Sequence, residues 1–367
     1  MERRFWVVRW LGAIIVVGVV AGGYIVVTSP SSLHGQQSLL PKPAAVTTLP
    51  KAFSQVSPSP SPQRSKVSPT VPTTSVGATP SPSPSPSPSR STGARSWPTE
   101  ADTGASGALT PVQGDVVLDS PNTTYSNKRV HGTVAVTACG VTVRNVEIDA
   151  GGPPTDDVFA LWLKQPATCA ATVDHVTIMA TPRPDDYMTT GIRVGYGGQM
   201  TVTSSKIVGP QLGILGMGSG LVQDNYILLG ATQRGDHDDG FQSDGASGIT
   251  IRHNTILNPN AQTSAVALYT EYGPNSNILV VDNLLAGGGY ACYCGDGKTD
   301  NAGHPARASN VSVVDNVFWQ KYFPSAGYYG DARAYNPAGG GKWENNLYMT
   351  AVGSITARQV PPAGIDQ

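Results

Sequence analysis

A six-residue phrase recurs eight times in the second two-thirds of this chain. It opens on an aliphatic residue, continues with two or three polar residues that usually end in Asn, and closes on an aliphatic or aromatic residue. Successive copies begin 20 to 33 residues apart, at Val143, Val173, Val202, Val222, Ile251, Val280, Val313 and Trp343. A repeat of this length is typical of a solenoid, in which each unit stacks on the previous one.

The composition of the phrase predicts strands. Val, Ile and Thr alternate with polar residues at a period of two, and no helical stripe is present. A second apolar segment precedes many of the copies, and its starts are Ala160, Gly191, Gly213, Gly240, Ala265 and Ala291. Two or more strands per repeat predict an all-β, single-stranded parallel β-helix. A leucine-rich repeat has a similar length, but it requires a leucine consensus and a helix that this sequence lacks.

Superposed copies of the phrase place asparagines at one shared position, namely Asn225, Asn254, Asn283, Asn316 and Asn346. Stacked asparagine side chains satisfy buried polar groups by bonding from one rung to the next. The alternative is that Asn is simply a common turn residue. Because five consecutive rungs agree, we expect a buried asparagine ladder.

The N-terminal segment predicts a membrane anchor. Arg3, Arg4 and Arg9 flank the uncharged residues 10–27, which are long enough to cross a bilayer as a helix. Positive flanking charges stay on the cytoplasmic side, so residues 1–28 predict a single-pass protein of the cell membrane with its C-terminal domain outside. A cleaved signal peptide, which would make the domain secreted, is the competing interpretation.

Residues 29–110 are rich in Pro, Ser and Thr, which predicts a disordered linker, and the β-helix domain is expected over residues 111–360. Nine of the 24 basic residues but only one of the 25 acidic residues precede Trp97. The chain from Trp97 onward therefore has a net charge of about −9. A negative surface repels polyanions, and nucleic acid is therefore not an expected partner.

The cysteines can be placed by the register of the repeat. Cys139 and Cys169 each lie four residues before a copy of the phrase, so they occupy one column on neighbouring rungs. Strands about 4.8 Å apart are within disulfide reach, and we expect a Cys139–Cys169 bridge in an oxidising compartment. Cys292 and Cys294 fall at inward positions, where small buried apolar residues are expected.

Four segments carry a resemblance to known proteins: NKRVHGTVAVTACGVTVRNVEI at 127–148, HDDGFQ at 237–242, GITIRHNTI at 248–256 and GGGYACYCG at 287–295. Over residues 115–348 the chain resembles right-handed parallel β-helix proteins of the pectate-lyase-like superfamily, and most closely a group of uncharacterised actinobacterial secreted β-helix proteins. The resemblance implies a right-handed coil. The superfamily includes polysaccharide lyases, glycoside hydrolases, esterases and non-catalytic binding proteins, so function depends on the site.

The stretch RGDHDDGFQSDG at 234–245 departs most from the repeat. Within its strand, Phe241 and Ser243 are expected to face inward, and Gln242 and Asp244 outward. The candidate acid and base residues are Asp239, Asp244 and Glu271. Side chains on the same outer face predict a groove for a polysaccharide or cell-wall glycan, and the candidate sugar-binding residues are Trp162, Arg193, His237, Gln242, Tyr269 and Tyr293.

Three functions remain open. A glycoside hydrolase needs two carboxylates beside the bond, and HDDGFQ resembles the NTDGFD strand of polygalacturonase-type hydrolases, which places Asp239 at their catalytic aspartate. The next rung reads SAVALY, where those enzymes have a second aspartate and a G-H-G. A polysaccharide lyase would use Lys164 or Arg193 as base and Ca²⁺ on Asp236 and Asp238. A non-catalytic glycan-binding or scaffold protein is the third. No cofactor other than Ca²⁺ is expected.

Overall fold

A computed structural model describes residues 95–150, 157–180, 189–231 and 237–362, together with the course of three strands near the N-terminus. Most of the expected linker and the candidate Ca²⁺ ligand Asp236 lie outside these residues. The chain divides into two units, residues 1–86 and 87–367.

In the first unit the structure has strands where the sequence predicts a helical anchor. The antiparallel strands are β1 (Trp6–Trp10), β2 (Ala13–Val20) and β3 (Gly23–Ile25). Their Val and Ile residues are β-branched and favour extended backbone. No helix in the described part of the chain is both long and apolar enough to span a bilayer. The membrane anchor stays a prediction.

The second unit is a coil of stacked strands. One of its sheets, the site sheet, has nine parallel strands in chain order. They are β5 (Val116–Leu118), β7 (Val134–Val136), β9 (Val158–Leu163), β12 (Thr189–Val194), β15 (Leu212–Gly216), β18 (Asp239–Asp244), β21 (Ser264–Tyr269), β24 (Tyr290–Cys294) and β27 (Gly330–Arg333).

The remaining strands form the ladder sheet, which has two parallel stacks and an antiparallel end strand. The early strands are β4 (Thr110–Gln113), β6 (Thr124–His131) and β8 (Val141–Asp149). The first stack continues with β10 (Ala170–Asp174), β13 (Gln199–Thr203), β16 (Ser219–Gln223), β19 (Ile249–Arg252), β22 (Ser276–Val281), β25 (Ser309–Val314) and β28 (Trp343–Glu344). The second stack has β11 (Thr177–Met179), β14 (Lys206–Val208), β17 (Tyr226–Leu228), β20 (Thr255–Asn258), β23 (Leu284–Gly287), β26 (Val317–Trp319) and β29 (Leu347–Met349).

Strand β30 (Ile355–Gln359) runs antiparallel to β29. A single turn of 3₁₀ helix at Pro337–Gly339 is the one helical element in the described residues. The all-β, parallel architecture agrees with the predicted β-helix.

The stacking register follows the sequence repeat. Val173 pairs with Val143 on one side and with Val202 on the other, and the series continues without a slip to the pair Val313 and Trp343. In the site sheet, Phe241 pairs with both Ile214 and Val266. The aligned start of each repeat unit is therefore confirmed on both sheets.

A left-handed residue bends every copy of the phrase at its third position. The residues there have φ between 49° and 58° and are Asn145, His175, Ser204, Asp224, His253, Asp282, Asp315 and Asn345. Asn and Asp tolerate this region better than most residues do. The bend separates the two stacks of the ladder sheet, so one turn of the coil contains three strands.

The asparagine column forms the expected ladder. The Asn254 side-chain oxygen accepts two hydrogen bonds from Asn225, one from the backbone N–H at 3.0 Å and one from the side-chain amide at 2.9 Å. The same pair of bonds joins the later members up to Asn346. All five asparagines are fully buried. The ladder satisfies polar groups that this corner would otherwise bury without partners.

The first rungs lack asparagine at this corner and carry a disulfide nearby. Val146 and Val176 occupy the column position there, and both are fully buried. Cys139 and Cys169 are bonded, with Cα atoms 5.0 Å apart, as predicted. Cys292 and Cys294 are buried at inward positions as expected, but the structure pairs them with each other rather than leaving separate thiols.

Residues 95–104, here named the strap, pack along the outer corner of the ladder sheet. Trp97 is only 9% exposed and joins a cluster with Leu284, Val317 and Met349. Its indole N–H donates to the Asp282 carbonyl at 2.8 Å. The strap thus lies inside the range that composition assigned to the linker.

Candidate functional site

The outer face of β18 has an unusual alternation of side chains. A Cβ atom on Gly240 would lie 2.2 Å from Cγ2 of the core residue Ile256, so position 240 faces inward. Phe241 also faces inward and is fully buried. Two successive inward positions leave Asp239 on the outer side, where its carboxyl meets Tyr269 of the next rung. Asp239 therefore shares a face with Gln242 and Asp244.

Asp239 is a fully buried carboxyl group. One of its oxygens accepts a hydrogen bond from the Ser264 N–H at 2.8 Å. Burial raises the pKa of Asp239 well above its ordinary value, and the carboxylates of Asp238 and Asp244 raise it further. Burial and the neighbouring Asp239 also raise the pKa of Tyr269 far above that of a free phenol. Both groups are therefore held toward their protonated forms.

Asp244 lies between this buried layer and the solvent. It is 7% exposed, and its Oδ2 accepts a hydrogen bond from the Gln242 amide at 3.1 Å. Burial, and then the nearby Glu271 carboxylate, raise the pKa of Asp244 to about 6, against the lowering effect of Gln242. Glu271 follows β21 and is exposed. Two neighbouring carboxyl groups thus have unequal environments, which is the condition for dividing acid and base roles.

A cleft of about 440 Å³ is lined by Glu271 and by Tyr269, whereas Asp239, Gln242 and Asp244 are not among its lining residues. Its lining residues are His237, Gln262, Thr263, Tyr269, Glu271, Gly289, Tyr290, Tyr293, Tyr329 and Arg333. The structure therefore brings together four residues that the sequence singled out, and adds aromatic and basic side chains that it did not. A cleft with aromatic walls and a few charged groups is the usual form of a small-ligand site.

Trp162 and Arg193 lie on lower rungs of the same face. They pair across adjacent strands, and the Arg193 guanidinium is 4.4 Å from the Phe159 ring centroid and 5.5 Å from that of Trp162. The Lys164 ammonium lies 4.5 Å from the Trp162 ring centroid. This cationic and aromatic cluster is separate from the residues that line the cleft.

One register column connects the cluster to the cleft. It runs through seven rungs along the coil axis, by way of Trp162, Arg193, Leu215, Gln242, Ala267, Tyr293 and Arg333. The prediction that Trp162, Arg193, Gln242 and Tyr293 share one outer face agrees with this column. An extended ligand lying along the axis would meet them in turn.

Sequence reasoning missed Tyr290, Tyr329 and Arg333 in the cleft lining, and a pair of exposed tyrosines that does not line the cleft. Arg333 stands in register with Tyr293, but its strand follows a long loop that hides the repeat. Tyr329 belongs to that loop. Tyr196 and Tyr272 follow strands three rungs apart, and their ring centroids come within 5.8 Å. The clustering of Tyr in GGYACYC and AGYYG was the available signal.

The candidate Ca²⁺ ligands are only partly described. Asp238 is fully buried, and its backbone carbonyl accepts hydrogen bonds from Asn258 and Thr263, each at 2.5 Å. Within the described ranges, no group of three His, Cys, Asp or Glu side chains is arranged to hold a metal ion. Because Asp236 lies outside those ranges, the Ca²⁺ site stays a prediction.

Comparison of the chain with known protein families, with curated proteins and with solved structures finds no match. The parallel coil is therefore established by strand pairing alone. Its right-handedness and its membership of the pectate-lyase-like superfamily stay predictions.

Proposed function

We propose that this protein is an extracellular glycoside hydrolase that acts on a polysaccharide, with Asp244 as general acid and Glu271 as general base. The observation that carries the proposal is a pair of neighbouring carboxyl groups with unequal environments, of which Glu271 lines an aromatic cleft. Asp244, with a pKa of about 6, holds a proton close to neutral pH, whereas Glu271 is open to solvent. Hydrolysis of a glycosidic bond requires this combination.

The register supports an inverting reaction. Asp244 pairs with Tyr269 on the neighbouring strand, and Glu271 is two residues farther along. One rung and two residues correspond to roughly 8 Å between backbone positions, so side chains at these positions can reach the carboxyl separation that leaves room for a water molecule in an inverting reaction. In this reaction Asp244 gives its proton to the leaving glycosidic oxygen. Glu271 takes a proton from water as that water attacks the anomeric carbon and the carbon–oxygen bond breaks.

The other residues bind and orient the sugar in this proposal. Asp239 has no exposed surface, so it acts through Tyr269, with which its side chain interacts. Tyr269 and Tyr293 offer ring faces to sugars, and His237 and Gln242 offer hydrogen bonds. Trp162 and Arg193 extend the binding face along the axis.

Substitution of the two carboxyl groups tests the proposal. Asp244→Asn and Glu271→Gln should each lower the release of reducing ends by about 10²- to 10⁴-fold, on a panel of soluble β-glucan, xylan, polygalacturonate and alginate. The matched control is Asp119→Asn, an exposed carboxylate outside the site, which should retain full activity. NMR of the first product should show inverted anomeric configuration. Full activity in Asp244→Asn, or no product from the wild type, would reject the proposal.

The lower cluster favours a polysaccharide lyase as the second candidate. Arg193 and Lys164 lie beside Trp162 on the groove face, where a base for an acidic sugar would be needed. Elimination would leave an unsaturated product that absorbs ultraviolet light, and chelation of Ca²⁺ on Asp236 and Asp238 would abolish it. Binding of a glycan without any product would instead support a non-catalytic binding or scaffold role.

We also infer that residues 1–28 anchor the protein in the cell membrane with the β-helix outside. The basic flanks and the apolar segment support this topology. In cells, the full chain should sediment with membranes, and protease added outside should degrade the β-helix domain. A domain found free in the medium would instead support a cleaved signal peptide.

A further inference from the structure

An unbroken series of aromatic rings leads from the candidate catalytic residues to the protein surface. Each ring centroid lies 4.9 to 6.0 Å from the next, in the order Tyr269, Tyr293, Tyr290, Tyr329, Tyr328 and Phe323. These separations are those of direct ring contacts. The series leaves the axial column at Tyr293 and turns toward the loop that precedes β27.

The two outer tyrosines of this series are strongly exposed. Tyr328 is 57% exposed and Tyr329 is 68% exposed. Large aromatic side chains that remain open to solvent beside a cleft commonly mark a binding surface. Tyr329 also lines the cleft itself, so the exposed pair is continuous with the candidate site.

Backbone contacts hold this exposed pair in place. The N–H groups of Tyr328 and Tyr329 donate to the carbonyls of Gly288 and Gly289 at 2.8 and 2.7 Å. Gly327 precedes this pair in the loop, and a Cβ atom there would lie 2.7 Å from the Cα atom of Tyr290. Only glycine allows the loop to dock this closely. The rings are consequently ordered before any ligand arrives, which reduces the entropy lost on binding.

We propose that Tyr328 and Tyr329 form a distal sugar-binding subsite, which receives the continuation of the glycan chain whose bond lies over Asp244 and Glu271. This inference rests on the proposed function and defines its substrate class further. The ligand is a polymer that extends beyond the cleft, and its distal sugars have an apolar face that stacks on these rings.

The experiment compares a long and a short substrate of the same chemistry. The polymer is the panel polysaccharide from which the full-length wild-type protein releases most reducing ends, and the short substrate is its trisaccharide. The variant is Tyr328→Ala, because Tyr329 also lines the cleft. The control is Tyr328→Phe, which keeps the ring. Tyr328 is exposed, and unchanged thermal unfolding midpoints should show that both variants fold.

For the alanine variant, we expect KM for the polymer to rise about tenfold, equivalent to about 1.4 kcal/mol, with little change in kcat. KM for the trisaccharide should stay the same, and the phenylalanine variant should resemble the wild type on both substrates. Equal effects on polymer and trisaccharide, or no effect on either, would overturn the distal subsite alone. A wild type that releases no reducing ends from any polymer would overturn the proposed function and this extension together.

Discussion

The asparagine corner, which is the column of five stacked asparagines, and the outer face of the site sheet belong to the same coil. They differ in whether their buried polar groups are hydrogen-bonded. In the corner, the amide of Asn283 donates to Asn316, Ile251 and Val281, and its oxygen accepts two bonds from Asn254. On the site sheet, the outer-face buried polar atoms without a hydrogen-bond partner in the described structure include Thr190 Oγ1, Asp244 Oδ1 and Ser264 Oγ.

This difference shows how one repeat serves both stability and chemistry. An unsatisfied buried polar group costs about 1–3 kcal/mol, whereas a fully connected network rigidifies the fold. Hydrogen bonds in the asparagine corner stabilise the fold, whereas the unsatisfied buried groups on the site face destabilise it. The proposed catalytic carboxyl group Asp244 has a raised pKa because it is buried and close to the Glu271 carboxylate. Strained or destabilised groups of this kind concentrate at functional sites.

The largest effect on stability should come from disrupting the asparagine ladder, whose buried polar groups are hydrogen-bonded. Asn283→Ala removes five hydrogen bonds from the middle of the ladder, and leaves several buried donors and acceptors without partners. The free energy of unfolding should fall by about 3–5 kcal/mol, as measured by urea denaturation. Asn310→Gly is the control, because Asn310 is exposed and left-handed; its loss should stay below about 1 kcal/mol. Similar losses in both variants would contradict the importance of the ladder.

The next effect concerns the rungs that lack the ladder. The Cys139–Cys169 bridge closes a sequence separation of 30 residues beside the corner positions of Val146 and Val176. The double variant Cys139→Ser/Cys169→Ser should lose about 2–4 kcal/mol of unfolding free energy. Hydrogen exchange should accelerate mainly in β8 and β10. Unchanged exchange there would show that the valine corner is stable without the bridge.

A substitution on the site face should change the free energy of unfolding by a smaller amount and in the opposite direction. The pKa of Asp244 is raised to about 6, so this carboxyl stabilises the fold fully below its ordinary pKa of about 3.9, and the contribution disappears as the pH rises through about 6. At pH 7, Asp244→Asn should therefore be more stable than the wild type by about 1–3 kcal/mol, while activity is lost. The difference should vanish near pH 4. A less stable variant at pH 7 would mean that the charged carboxylate is well accommodated. Asp119→Asn should match the wild type at both pH values.

The smallest effect on the free energy of unfolding should come from His253, which binds the strap. His253 Nδ1 lies 2.6 Å from an Asp224 carboxylate oxygen, and Nε2 lies 2.9 Å from the Ser96 carbonyl. Both partners accept hydrogen bonds, so only the doubly protonated ring can donate to both. Burial lowers the pKa of His253, but the bonds to Asp224 and Ser96, together with the charges of Asp224 and Asp282, raise it overall.

The contribution of His253 should be complete below its ordinary pKa of about 6.5, and it should be lost as the pH rises through the raised value. Between pH 5 and pH 8, the wild type should lose less than about 1 kcal/mol because solvent screens the partly exposed ring. His253→Asn keeps a left-handed residue and should not show this loss. His175→Asn, at the equivalent corner, should behave like the wild type. A pH dependence that persists in His253→Asn would exclude His253 as its source.

Much of the ladder sheet was predictable from the sequence because the corner imposes the same local requirement on every turn. A left-handed third residue followed by Asn selects short polar side chains, and these recur visibly at Asp282 and Asn283 or Asp315 and Asn316. On the site face an inward glycine recurs at Gly191, Gly213 and Gly240, and a simple period of two does not predict its orientation. A period of two would place Asp239 on the same side as Phe241, but the inward Gly240 breaks that alternation.

The sequence by itself determined the repeat, the pairing of Cys139 with Cys169, the asparagine column and the outer positions of Gln242 and Asp244, because each follows from the local periodicity of a stacked strand. The tertiary structure alone decided that Asp239 and Asp244 are buried, that Tyr329 lines the cleft and that Trp97 packs against the ladder sheet. Those features depend on desolvation and on loops contributed by distant turns, and neither leaves a regular trace in the chain.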